Sequence, residues 1–343
     1  MADSRFYEST GPLPLARIVE LTGGQLVSES ADDFQVESVE PAETTRAGAL
    51  SFVAGKILPD ANDIADNAVL LVGQKTANVY QDCRAHLIVC DDPRYAFGRV
   101  ANQIIDERPV FDEPRISASA MIGEGGQIAS TAYVGAGATI GARVRIGPGS
   151  VIGPGVVIGD DSHIAANCVV RCALIGAAAN LKSGAAIGEA GFGVAPRKGV
   201  PMVVPHFGRV VIGDNILIGS NSGVDRGLFG DTRIGDNCKF DNLTHVAHNV
   251  VIGDGCIFAA YAAISGSCTI GSNTIFAGRS GLSDHVNVGS NAIMGAGSAA
   301  MEDVPDGEFW MGTPAMPKRK YVRERMAVRR LVIDQKNKKQ QGE

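Results

Sequence analysis

A mainly β protein built around a parallel β-helix of six-residue repeats is predicted by three observations. Aliphatic residues recur every six positions at Ile116, Ile122, Ile128, Val134, Ile140, Ile146, Ile152, Ile158 and Ile164. They return at Ile234, Phe240, Val246, Ile252, Phe258, Ile264, Ile270, Phe276, Leu282, Val288 and Met294. Neither the helical period of 3.6 nor the strand period of 2 generates this spacing. Second, glycine or another small residue usually follows the aliphatic one, as in Ile140-Gly141, Ile146-Gly147 and Ile252-Gly253. Third, 343 residues include 43 glycines, only 6% aromatics and one tryptophan, Trp310. So little ring bulk implies a thin core filled by branched aliphatics.

Each hexapeptide makes one short flat strand, and three make a coil in which positions 18 residues apart stack, as Cys238 and Cys256 do. The aliphatic residue points inward, and a small residue lets the backbone turn the corner. At a strand spacing of roughly 4.8 Å, about nine coils give a prism roughly 44 Å tall. One coil cannot bury its own core, so stability must come from stacking and from caps.

Along the chain, residues 1–112 lack the repeat and read as a small α/β domain. Pro14 to Leu21 is predicted as a short amphipathic helix stopped by Gly23-Gly24. Apolar runs follow at Ala68–Val72 and His86–Cys90, and Arg94 to Ile105 is predicted helical. The boundary falls in Glu107–Pro114, and residues 113–304 form the β-helix. Between its two repeat runs, Gly188 to Gly208, which includes Arg197-Lys198, reads as a loop leaving the prism at a corner and walling the site. Residues 305–343 read as a basic helical extension in which Val322, Met326 and Ile333 share one face.

The net charge is −6, yet from Lys318 onward ten Lys or Arg oppose three acids, so the tail carries +7 and residues 1–317 carry −13. An acidic body argues against nucleic-acid binding, since phosphates would repel it. The basic tail suits a compact acidic partner or a cap. Seven cysteines show no metal-ligand spacing and read as reduced thiols of a reducing compartment. Met1 to Pro12 has no secretory pattern and no run reaches the length of a membrane span, so a soluble, cytoplasmic protein is expected.

Two of the six histidines stand out by register. His248 follows Val246 by two positions, and His285 lies 37 residues later, two coils plus one residue. The two therefore occupy nearby but not identical ladders.

Around His248 the chain reads Asp241-Asn-Leu and Ala247-His-Asn-Val-Val-Ile-Gly253, preceded by Val224-Asp-Arg-Gly and Gly230-Asp-Thr-Arg-Ile-Gly-Asp. With Gly191-Phe-Gly193, Gly208-Arg-Val-Val-Ile-Gly213 and Leu50-Ser-Phe52, this segment resembles the UDP-3-O-acylglucosamine N-acyltransferases of lipid A synthesis. The resemblance covers nearly the whole chain: a uridine-binding domain, the β-helix and a helical tail. It implies a left-handed β-helix and a homotrimer. It also implies an acyl carrier protein that delivers a 3-hydroxyacyl thioester to the 2-amino group of UDP-3-O-acylglucosamine. By the same resemblance His248 is the general base, Asp241 its orienting carboxylate, the Gly266 N–H an oxyanion donor and His285 a second active-site histidine. Phe52, Asn242 and Phe192 become substrate-binding residues, with no metal and no cofactor. Neutral imidazole suits the removal of an amine proton near pH 7.

Some positions depart from the family pattern. Gly55 and Leu58 stand where an asparagine and a uracil-stacking tyrosine usually follow Ser-Phe, so Tyr80 or Tyr95 supplies the second ring or the acceptor differs. Ala190 replaces an aspartate, and Ser283-Asp284 replaces Ala-Gly before His285. Three other readings stay open: an N-acyltransferase for another amino-sugar nucleotide, a zinc hydratase of the γ-carbonic anhydrase kind using His245, His248 and His285, and a non-catalytic trimeric scaffold.

Overall fold

The computed structural model describes residues 2–27, 33–54, 58–110, 115–195, 200–312, 323–324 and 326–333. In the N-terminal region, helix α1 (Leu15–Thr22) ends where Gly23 turns to a φ of 66° and donates its N–H to Val19 O. Helix α2 (Pro93–Val100) starts at Asp92, whose side chain accepts from Tyr95 N, and the chain then tightens into a 3₁₀ turn at Ala101–Gln103. Ile105, predicted at the helix end, instead starts a strand, Ile105–Glu107, antiparallel to Tyr7–Ser9. The apolar runs become Val69–Val72 and His86–Val89, the middle of a five-stranded sheet flanked by Gln25–Leu26, Ala49–Phe52 and Ser38–Val39.

From Met121 to Trp310 the chain winds a parallel β-helix of three walls with nine, ten and nine strands. Wall one runs from Met121–Ile122 to Asn287–Val288, wall two from Gln127–Ile128 to Phe309–Trp310, and wall three from Tyr133–Val134 to Ala299–Ala300. Most neighbours pair 18 residues apart, as Ile140 with Ile158 and Val246 with Ile264. The inward aliphatics are buried from Val134 onward, whereas Ile116 and Ile122 are exposed because they sit on the open end of the stack.

The gap in the six-residue pattern is not a gap in the fold. Val170, Ile175, Leu181, Ile187, Ile212, Ile218 and Val224 fill the inward positions, but at irregular intervals. A β-hairpin, Val194–Ala195 against Met202–Val203, leaves the prism where a loop is predicted. The final rung, Phe309–Trp310 on Ile293–Met294, extends the β-helix past 304. The core is also not purely aliphatic. Phe240, Phe258 and Phe276 stack on wall two with centroids 4.5 and 4.8 Å apart and planes within 4° and 16°. Corners use more than glycine: Asn249, Ser267 and His285 occupy one left-handed ladder at φ of 60°, 59° and 63°.

The N-terminal region docks on the prism through a nearly buried charge cluster. Glu107 accepts from Arg171 Nε and Arg226 Nη2, both at 2.8 Å, and Tyr7 Oη donates to Gly208 O at 2.7 Å. At the other end, residues 323–324 and 326–333 are helical, and Met326, Val328, Leu331 and Ile333 all face solvent. The predicted apolar face thus has no cover within one chain among the described residues, and Val322 lies outside them.

Candidate active site

His248 stands at the corner between walls three and one, just after the strand His245–Val246. Two rungs on the same ladder lie below it, Gly266 and Asp284, each 18 residues further along. The imidazole rests over Gly266: a β-carbon there would lie 2.8 Å from both Cε1 and Nε2 of His248. Glycine is required because any side chain would lift the ring off its floor. His248 Nδ1 lies 3.2 Å from Asn249 Oδ1. This corner opens into a cleft of about 440 Å³ lined by Arg94, Phe192, His245, His248, Asp284 and His285, with Gly266 between the histidines. Phe192 is 84% exposed at its mouth.

His248, His285, Gly266 and Phe192 therefore share one cleft. Asp241 does not. It is exposed at the preceding corner, between walls two and three, with Oδ1 accepting from Asn242 N at 2.7 Å. Seven residues of β-helix carry the chain along a whole wall, so Asp241 cannot orient His248 of its own chain. Asn242 shares that corner and accepts from Ser220 N at 2.7 Å. The carboxylate beside the histidines is Asp225, whose Oδ2 is 3.6 Å from His245 Nε2. Burial pushes its carboxyl up, opposed by the pull of His245 and His248. The sequence conceals Asp225 because it reaches this wall across an irregular coil.

The surroundings of three further residues are also defined. The Gly266 N–H is capped by Asp284, donating to Oδ1 at 3.1 Å, so a carbonyl must displace that carboxylate to use it. Phe52 is half-buried, its ring 4.9 Å from Phe97 and 6.2 Å from Phe229, and packs the domain junction. Tyr80 is fully buried with its hydroxyl donating to Pro59 O at 3.0 Å, so it cannot supply a second stacking ring. Leu58 lines a separate cavity of about 350 Å³ with Val53, Lys75 and Pro93, and Gly55 lies outside the described residues, as do Arg197 and Lys198. Among the described residues of one chain no three His, Cys, Asp or Glu side chains converge as a metal site needs.

One group lining the cleft and one buried behind it escape the sequence reading. Arg94, at the start of α2, has a buried Nε without an acceptor among the described residues and so offers a cation to the cleft. His206 is 2% exposed, and its ring centroid lies 5.2 Å from that of His248 at an interplanar angle of 62°. Burial, with help from His248, lowers its pKa from 6.5 to about 4. The unfolded chain therefore takes up a proton near pH 6.5 that the folded chain refuses until about pH 4. The stability His206 contributes is complete above pH 6.5 and is lost as pH falls towards 4, a change of about 3 kcal/mol. Denaturant midpoints at pH 7, 5.5 and 4.5 are expected to fall more steeply for the native protein than for His206→Phe.

Comparison with known proteins gives concordant matches. Residues 137–172 and 231–266 match the bacterial transferase hexapeptide (six repeats) family, and 209–242 match the hexapeptide repeat of succinyl-transferase. A Maricaulis maris (strain MCS10) protein named UDP-3-O-acylglucosamine N-acyltransferase is 50% identical over 333 residues, covering 96% of this chain and 97% of that one. A Caulobacter vibrioides (strain NA1000 / CB15N) protein of the same name is 45% identical, covering 94% and 96%. Among solved structures, LpxA from Acinetobacter baumannii superposes with a TM-score of 0.46 at 28% identity, over 59% of this chain and 72% of that one.

Proposed function

The chain belongs to the UDP-3-O-acylglucosamine N-acyltransferase family, and on that premise we propose that it moves a 3-hydroxyacyl chain from acyl carrier protein to the 2-amino group of UDP-3-O-acylglucosamine in lipid A synthesis. The observation that carries the site assignment is the His248 imidazole, seated on Gly266 and open to the cleft. In this reading neutral His248 removes a proton from the amine as its nitrogen attacks the thioester carbon. The carbonyl oxygen gains negative charge, displaces Asp284 from the Gly266 N–H and accepts that hydrogen bond. Collapse expels the carrier's thiolate, which takes the proton from His248. The products are an amide and a free thiol. His285, exposed on the cleft wall, contacts the acceptor sugar beside Phe192.

Arg94 faces the same space and suits the acceptor's diphosphate, since a guanidinium pairs well with phosphate oxygens. Arg94→Gln is expected to raise the acceptor KM about tenfold or more and leave the donor KM unchanged, measured by varying each substrate at saturation of the other.

The functional unit in this proposal is a homotrimer, and Asp241 enters it as a residue of the neighbouring subunit, whose corner meets His248 across the interface. Residues 1–112 serve as the uridine-binding domain, the β-helix from 113 through its last rung at Phe309–Trp310 as the catalytic domain, and the basic stretch from Lys318 onward as the extension that receives the acidic carrier protein. Dependence on that carrier places the reaction in the cytoplasm. The test is formation of amide from purified protein, 3-hydroxyacyl carrier proteins of several chain lengths and UDP-3-O-acylglucosamine. A second reading, a different amino-sugar nucleotide as acceptor, is favoured by Leu58 and by the burial of Tyr80, and a panel of such nucleotides in the same assay separates the two.

A further inference from the structure

We propose that His206 is the positioning residue for His248: its buried ring, wedged behind Gly191, sets the plane of the catalytic imidazole and turns an uncharged lone pair towards it. This rests on the reading of His248 as the base.

His206 is fixed at three points. Its carbonyl accepts from Arg226 Nε at 3.0 Å and from Tyr7 Oη at 3.3 Å, and its Nδ1 lies 3.0 Å from Val204 O. A carbonyl only accepts, so Nδ1 carries the hydrogen and Nε2 keeps a lone pair. That Nε2 is buried and has no hydrogen-bond partner among the described residues. A buried acceptor without a partner costs stability, so its placement calls for a reason.

The glycines flanking Phe192 supply one. A β-carbon on Gly191 would stand 2.9 Å from His206 Nε2 and 2.6 and 2.9 Å from Cβ and Cδ2 of His248. One on Gly193 would stand 2.7 Å from His206 Cε1. Both rings therefore crowd one side-chain-free strip of backbone, and its glycines are what allow them to meet at 5.2 Å. His248 is held between two backbone surfaces, Gly266 beneath its Cε1–Nε2 edge and Gly191 against its Cδ2, with the His206 ring packed on the same glycine 5.2 Å away.

Charge completes the case. Facing His248 are Arg94 from α2, Asp225 and His245 on wall three, and Asp284 and His285 from the rungs below. Facing His206 are His248, Arg226 and Arg94; burial first, then His248 and the two arginines, keep its ring neutral through the working pH range. A charged neighbour would oppose the imidazolium that forms on His248. A neutral ring with its lone pair on the shared side favours it.

The test uses the full-length protein and three variants. His206→Phe keeps a ring but removes the lone pair, His206→Gln restores an acceptor, and Gly191→Ala pushes its methyl against both rings while leaving both histidines in the sequence. The pH dependence of kcat/KM is recorded for each, and the His248 Cε1–H resonance is titrated in ¹³C-histidine protein without substrate. His206→Phe is expected to lose roughly tenfold in kcat, with both KM values within about twofold. Its acid limb and the His248 titration should both move to lower pH by about half a unit. His206→Gln should recover most of the loss, and Gly191→Ala should reproduce it. An unmoved His248 titration in both His206→Phe and Gly191→Ala overturns the proposal, because packing alone would then account for any lost rate. The titration needs no turnover. A shifted resonance in an enzyme that forms no amide would keep the His206 assignment and remove the acyl-transfer reading instead.

Discussion

Replacing His248 by alanine is expected to lower amide formation by roughly 10²–10⁴-fold while leaving the fold intact. The side chain is half-buried at a corner, and its one hydrogen-bond contact among the described residues is the 3.2 Å approach to Asn249 Oδ1. Asn249 keeps the hydrogen bond it accepts from Leu228 N at 2.9 Å, so truncation strands no buried partner. The His248 carbonyl still accepts from Ser267 N at 2.9 Å, which preserves the stacking of the corner. Melting temperature and assembly size should match the native protein, and kcat should carry the loss. A variant with full activity would remove His248 from the mechanism.

The second large effect is on stability. Phe258→Ala is expected to cost about 3–5 kcal/mol. Phe258 is 1% exposed between Phe240 and Phe276, nearly parallel to both. Removing the middle ring opens a void that the fixed rung spacing of the β-helix cannot close. The backbone ladders on either side, Lys239–Phe240 above and Ile275–Phe276 below, hold the neighbours in place. Denaturant unfolding of the variant beside the native protein measures the difference. A loss below 1 kcal/mol would mean that the coils relax far more than this packing implies.

The parts of the fold that repeat were legible in the sequence, because an inward aliphatic every six residues has no other economical explanation. Between Val170 and Ile234 the same inward ladder persists but its steps vary, so a count by sixes loses it there. That stretch also holds what the site reading lacked. His206 meets His248 only because a hairpin folds back over the corner, and Asp225 reaches His245 across a coil of unusual length. Asp241 is the opposite case: seven residues from His248 in sequence, it stands a full wall away within one chain, so any role beside His248 needs a neighbouring subunit. Motif spacing along a β-helix reports ladders reliably only at multiples of a coil. Aromatic residues were harder still, since nothing in the sequence distinguishes Tyr80, buried against Pro59, from a ring that faces a ligand.

The most direct test of the central claim is product analysis by mass spectrometry with two acceptors, UDP-3-O-acylglucosamine and UDP-N-acetylglucosamine, each incubated with a 3-hydroxyacyl carrier protein. Only the first presents a free amine to His248. The account predicts a hydroxylamine-stable amide from the first acceptor and nothing from the second. An ester formed on the second, with the first untouched, would contradict it.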